Sequence, residues 1–108
     1  MPNVTFFFSN DSMPNEEVLS RLTDDATAYC TDILKADIDK VHVIYVAVRR
    51  GRGRPAFVEI RYRLEAFRTP DVMQAFMVAL EESIRRHTGI TARIRCYGYA
   101  ASALQARN

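Results

Sequence analysis

Along the chain, the spacing of apolar residues switches between a period of two and a period near 3.6, which separates strands from helices. Residues Asn3 to Phe8 are β-branched and aromatic and predict a strand. Asn10, Asp11, Ser12 and Pro14 supply turn and helix-start chemistry. From Asn15 to Leu34, Val18, Leu19, Leu22, Ala26, Tyr29, Cys30, Ile33 and Leu34 fall on one stripe, predicting a helix. Lys40 to Val48 predicts a second strand, apolar on both faces and so expected to be buried on both sides. Arg49-Arg50-Gly51-Arg52-Gly53-Arg54-Pro55 is a loop. Ala56 to Leu64 alternates as a third strand, with Val58, Ile60, Tyr62 and Leu64 on one face and Glu59, Arg61 and Arg63 on the other. Thr69-Pro70-Asp71 then starts a helix with a cap, a first-position proline and an acid in the first turn. Its stripe is Val72, Met73, Phe76, Met77, Leu80 and Ile84, and Gly89 ends it. Thr91 to Tyr99 is the fourth strand, with Ile94 and Cys96 on one face and Arg93, Arg95, Tyr97 and Tyr99 on the other. The Ala-rich tail predicts a short helix or a frayed end.

The element order is β-α-β twice, with the arginine loop between the units. Each helix is a crossover, so the strands within a unit are parallel. The expected fold is α+β: two β-α-β units forming a four-stranded mixed sheet with two helices on one face. The opposite face carries Glu59, Arg61, Arg63, Arg93, Arg95 and several aromatics. Solvent, a nucleic acid or a neighbouring subunit are the candidates to cover it.

The length, 108 residues, fits one domain spanning residues 1–108 with a core of moderate size. No apolar run approaches the roughly 18–20 residues that cross a bilayer. Pro2 and Asn3 stand where a signal peptide would be basic, so the expected location is cytoplasmic, without membrane contact. There Cys30 and Cys96 are expected to be reduced, packed thiols. His42 and His87 have no metal-ligand spacing, so no metal or cofactor is expected. The net charge of +2 hides an uneven distribution: without the four loop arginines, eleven basic side chains face thirteen acidic ones.

The candidate chemistry lies at the amino terminus. Methionine aminopeptidase normally removes a Met that precedes Pro, which would make Pro2 a terminal secondary amine at the start of a strand. A terminal amine has a pKa of about 7.7–8.0, and desolvation or nearby cations lower it further. Such an amine, neutral and fixed, serves as general base or nucleophile. With Met1 attached, the Pro2 nitrogen is an amide and has no such role. Many chains also begin Met-Pro with no chemistry attached.

Met1-Pro2 followed at once by a strand, within two β-α-β units, resembles the tautomerase superfamily. Ala56-Phe57-Val58-Glu59-Ile60, the turn at Glu65-Ala66-Phe67, then Arg68-Thr69 resemble the third strand and its exit in 5-carboxymethyl-2-hydroxymuconate isomerases. Phe8-Ser9-Asn10-Asp11 resembles their first-strand exit. The resemblance implies a homotrimer that interconverts enol and keto forms of a small carboxylate in aromatic catabolism. Pro2 would be the catalytic base and Arg68 would hold the carboxylate. The family's second substrate arginine precedes the second strand, where this chain has Ile38, Asp39 and Lys40; Lys40 or Lys35 would take its place. Tyr97 and Tyr99 would cap the site from a neighbouring subunit, with simple packing the alternative for both. Two other readings stand beside it. Phe6-Phe7-Phe8-Ser9-Asn10 and Arg54 to Ile60 resemble parts of the two motifs of RNA-recognition domains. The third reading is a trimeric scaffold without catalysis.

Overall fold

The structure, a computed structural model, describes all residues from Met1 to Asn108. Strands β1 (Asn3–Ser9), β2 (His42–Val48), β3 (Ala56–Arg63) and β4 (Arg93–Tyr99) form one sheet in the order β2-β1-β3-β4. β1 and β2 are parallel, β3 and β4 are parallel, and the central pair β1–β3 is antiparallel. Helices α1 (Glu16–Asp32) and α2 (Pro70–Thr88) are the two crossovers. The fold is therefore the expected α+β arrangement of two β-α-β units.

Local chemistry sets the helix ends. The side chain of Asn15 accepts from the Val18 amide at 3.0 Å, and that of Thr69 accepts from the Val72 amide at 3.3 Å. Gly89 ends α2 with φ +77°, which only a glycine adopts without strain. Arg85, Arg86 and His87 lie in the last turn of α2, where cations complement the helix dipole.

One core joins sheet and helices. Val4, Phe6 and Phe8 of β1 and Val58, Ile60 and Tyr62 of β3 face Leu22, Ala26 and Cys30 of α1 and Phe76, Leu80 and Ile84 of α2. Phe6, Phe8, Phe76 and Leu22 are essentially inaccessible, each such side chain contributing about 1.5–3 kcal/mol of apolar burial.

Three expectations are corrected. The second strand begins at His42, because Ile38–Lys40 forms a 3₁₀ turn. It is not buried on both sides: β2 is an edge strand, Val43 and Tyr45 pack on the core, and Ile44 is 54% exposed on the open face. Leu64 follows β3 and is exposed, so it does not continue the inward row of Val58, Ile60 and Tyr62.

Candidate active site at the start of β1

The sheet register gathers the site. Asn3 lies opposite His42 on one side and Arg61 on the other. Extending that register by two residues sets Met1 level with Lys40 in one direction and Arg63 in the other. The Pro2 carbonyl accepts from the His42 amide at 3.1 Å, so the pairing continues past the strand. Pro2 itself is buried.

Around this end lies a pocket of about 210 Å³, walled by Met1, Lys40, Arg63, Glu65, Arg68 and the tail residue Leu104. That is small for a whole ligand. The terminal amine borders it, and its pKa lies below the ordinary value. Burial is the largest cause, followed by the charges of Arg63, Lys40 and Arg68. Among side chains, three cations against one carboxylate make the pocket attractive to an anion.

Arg68 is held from behind. Its Nε donates to the Leu34 carbonyl at 3.0 Å and its Nη1 to the Arg63 carbonyl at 2.8 Å. Its guanidinium carbon sits 5.3 Å from the Phe67 ring centroid. A guanidinium has about five N–H donors, so the two carbonyls leave donors for a ligand. Cys30 lies within the influence of this charge, yet burial pushes its thiol up to about 12, which keeps it inert.

The structure brings Lys40 and Arg68 to this pocket beside Met1, whereas Pro2, the next residue along, is buried and does not line it. Nor does the structure place Lys35 or Tyr97 along this pocket. Lys35 is exposed just past α1 with φ +55°. Tyr97 is 40% exposed on the open sheet face, with the Arg61 guanidinium 5.4 Å from its ring centroid. Arg63 and Glu65 are pocket residues that sequence reasoning did not assign to the site. Alternation put Arg63 with the other open-face arginines, whereas the register sets it level with Met1 at the strand's exit. No group of three or more His, Cys, Asp or Glu side chains is placed to hold a metal ion. No helix is long and apolar enough to cross a membrane.

No protein-family model matches the sequence, and no curated protein matches it. Solved structures match nearly its whole length. A fused 4-OT in a wild-type asymmetric trimer superposes with a TM-score of 0.79 at 16% identity, over 97% of this chain and 92% of the other. The macrophage migration inhibitory factor of Toxoplasma gondii gives 0.75 at 19% identity, covering 97% and 96%. Malonate semialdehyde decarboxylase gives 0.74 at 12% identity, covering 99% and 92%. At such identities the likeness establishes a shared fold, and what each protein does is a separate matter.

Proposed function

We propose that this chain, once Met1 is removed, is a tautomerase in which the Pro2 amine is the general base. The observation that carries the reading is the environment of the terminal amine: partly buried, with Arg63, Lys40 and Arg68 all lowering its pKa. Removing Met1 moves the amine one residue, about 3.8 Å, further into the fold. Desolvation and the three cations favour the neutral form of a secondary amine held there relative to the same amine in solvent, as a base requires.

The substrate is a small carboxylate with an enol or keto group, 2-hydroxymuconate-like or a keto acid. Its carboxylate meets the free donors of Arg68, whose fork suits two carboxylate oxygens. Lys40 and Arg63 stabilise the dienolate that develops between the two proton transfers. Pro2 takes the proton from the enol hydroxyl, or from the carbon beside the carbonyl, and returns it elsewhere on the conjugated system. The residues assigned here need no cofactor.

The working form is a homotrimer of single-domain subunits. The open face carries Ile44, Tyr97 and the stacked pair Phe7 and Phe57, and strands β2 and β4 are both edges. A neighbouring subunit would cover the end of that face that holds Ile44 and Tyr97 and complete the small pocket, with Tyr97 capping it from across the interface, while the Phe7–Phe57 end stays open. The asymmetric trimer of a fused 4-OT, which shares the fold, supports this assembly.

A second reading rests on Glu65. Glu65 lines the pocket, and its carboxylate would activate water. Malonate semialdehyde decarboxylase, with the same fold, has decarboxylase and hydratase activities. Intact mass of the purified protein, followed by assays of phenylenolpyruvate ketonisation and of hydration of an unsaturated acid, tests both readings. A chain that keeps Met1 in full, or one inactive in both assays after its removal, excludes the Pro2 chemistry.

A further inference from the structure

The far end of the sheet carries charge that the proposed active site does not use. Phe7 pairs with Phe57, and Phe57 with Arg93, five residues along the chain from Pro2. At about 3.4 Å per residue, that is roughly 17 Å away. There Arg52, Gly53 and Arg54 of the loop between β2 and β3, together with Phe57 and Arg93, wall a hollow of about 640 Å³. That volume lies within the range of small-ligand sites. An adjoining hollow of about 560 Å³ shares Arg54 and Arg93 and adds Arg95.

These guanidiniums have no carboxylate partner. The arginines that form ion pairs are Arg21, Arg61, Arg85 and Arg86. Glu81, the acid bordering the adjoining hollow, is held by Arg85 at 3.1 Å. Like charges crowded into one hollow repel each other, and the fold gains no packing in exchange. Arg52 and Arg54 are exposed, and a Cβ added at Gly51 or Gly53 would meet nothing within 4 Å. An anion seated between the guanidiniums relieves the repulsion, and their forks match pairs of phosphate oxygens.

The floor narrows the ligand class further. Phe57 is the one apolar residue of the hollow. It is half-buried and stacked on Phe7, with ring centroids 6.1 Å apart and planes at 21°. A supported aromatic ring beside phosphate donors suits a planar base. We propose that the hollow between Arg52, Arg54 and Arg93 binds a nucleotide, with its phosphates on the guanidiniums and its base against Phe57.

A longer nucleic-acid strand fits less well. One pair further along the face, the Glu59 carboxylate lies 3.6 Å from Arg61. It interrupts the positive track that a strand would follow. The cations instead converge at one end of the sheet. This site is independent of the reading proposed for Pro2.

Calorimetric titration of the full chain at low ionic strength tests the proposal, with ATP, inorganic triphosphate and oligouridylate as probes. ATP should bind more tightly than triphosphate, and added salt should weaken both. Arg54→Ser and Arg93→Ser should each weaken ATP about 10-fold, as expected for losing charge-assisted hydrogen bonds. Phe57→Leu, checked for folding by circular dichroism, should bring ATP down to the affinity of triphosphate and leave triphosphate unchanged. Absence of ATP binding, or binding indifferent to both arginine replacements, overturns the site. Equal affinity of the unsubstituted protein for ATP and triphosphate overturns the base contact. Affinity that climbs with oligouridylate length beyond that of ATP replaces the nucleotide with single-stranded nucleic acid and overturns the assignment.

Discussion

The Nε of Arg68 donates to the carbonyl of Leu34 at 3.0 Å, fastening the turn before α2 to the chain just past α1. A second bond, from Nη1 to the Arg63 carbonyl, ties the same side chain to the exit of β3. The residue assigned to hold substrate thus also holds the site together. Only 8% of Arg68 is exposed, so its loss leaves two carbonyls short of a donor in a protected place.

Arg68→Ala should therefore cost about 3 kcal/mol of stability, the scale of losing hydrogen bonds to a buried charge. Urea unfolding measures it. Arg68→Lys should recover little, since an ammonium does not reproduce the fork. In the assay, carboxylate substrates should suffer a higher KM than neutral enols. An unchanged unfolding midpoint with a raised KM would reduce Arg68 to a pure ligand contact.

Pro2→Ala in the processed chain should lower enol–keto conversion by about 100-fold or more, the usual contribution of a positioned base. The neutral amine is the active form, so the rate rises with pH through its pKa. The burial and cations that lower the Met1 amine's pKa should act in the same direction on the Pro2 amine and hold the acid limb below that of a solvent-exposed amino-terminal proline. Arg63→Ala removes the strongest of the charges responsible and should move the limb to higher pH. A limb that stays put in Arg63→Ala would remove that residue from the tuning.

Asp25 joins the two helices. Its Oδ2 accepts from Ser83 Oγ at 2.7 Å, from Arg86 Nη2 at 3.1 Å and faces His87 Nε2 at 3.1 Å. Burial works to raise its pKa, but the bonds from Ser83 and His87 and the charges of His87 and Arg86 outweigh it, and the net shift is downward. A lowered folded pKa means stability that is present above the unfolded value, near 3.9, and lost as pH falls through the folded one. Ser83 is fully buried, so Asp25→Ala should cost about 1–3 kcal/mol by stranding its hydroxyl. Asp25→Asn keeps an acceptor and should cost less. Thermal melts from pH 7 down to about pH 2 should show the wild type converging on Asp25→Ala at the acid end.

Light scattering should report a trimer, and Ile44→Lys should shift it toward monomer. Ile44 is exposed on the open face of one subunit, so the replacement should leave the monomer fold intact. A wild-type monomer, or a trimer indifferent to the lysine, would place the interface elsewhere.

Gly98 should not tolerate alanine. An added Cβ would come within 2.6 Å of Leu64 Cδ2 and 2.9 Å of the Tyr62 ring. The leucine tip can swing away, but the ring is buried in the core. Overpacking of this kind costs about 1–3 kcal/mol. A Gly98→Ala melting temperature equal to wild type would mean that the ring has room to move.

Sequence by itself determined the elements, because their signals are local. Asn15, Thr69-Pro70-Asp71 and Gly89 act on amides and carbonyls within a turn: α1 begins at the first, and α2 begins and ends at the other two. The alternation Val58-Glu59-Ile60-Arg61-Tyr62 marks a strand with one buried face wherever that strand is placed. Periodicity reports which residues are apolar, but not what covers them. Hence β2, apolar throughout, reads as a central strand, and only the order β2-β1-β3-β4 leaves Ile44 uncovered at an edge. Polar partners are equally invisible to local pattern: Ser83 and Asp25 lie 58 residues apart, and Leu34 and Arg68 lie 34 apart. The candidate site depends most on tertiary structure. Lys40 and Arg63 meet Met1 only because one ladder beside β1 is parallel and the other antiparallel, and the two registers converge at the same end of the strand.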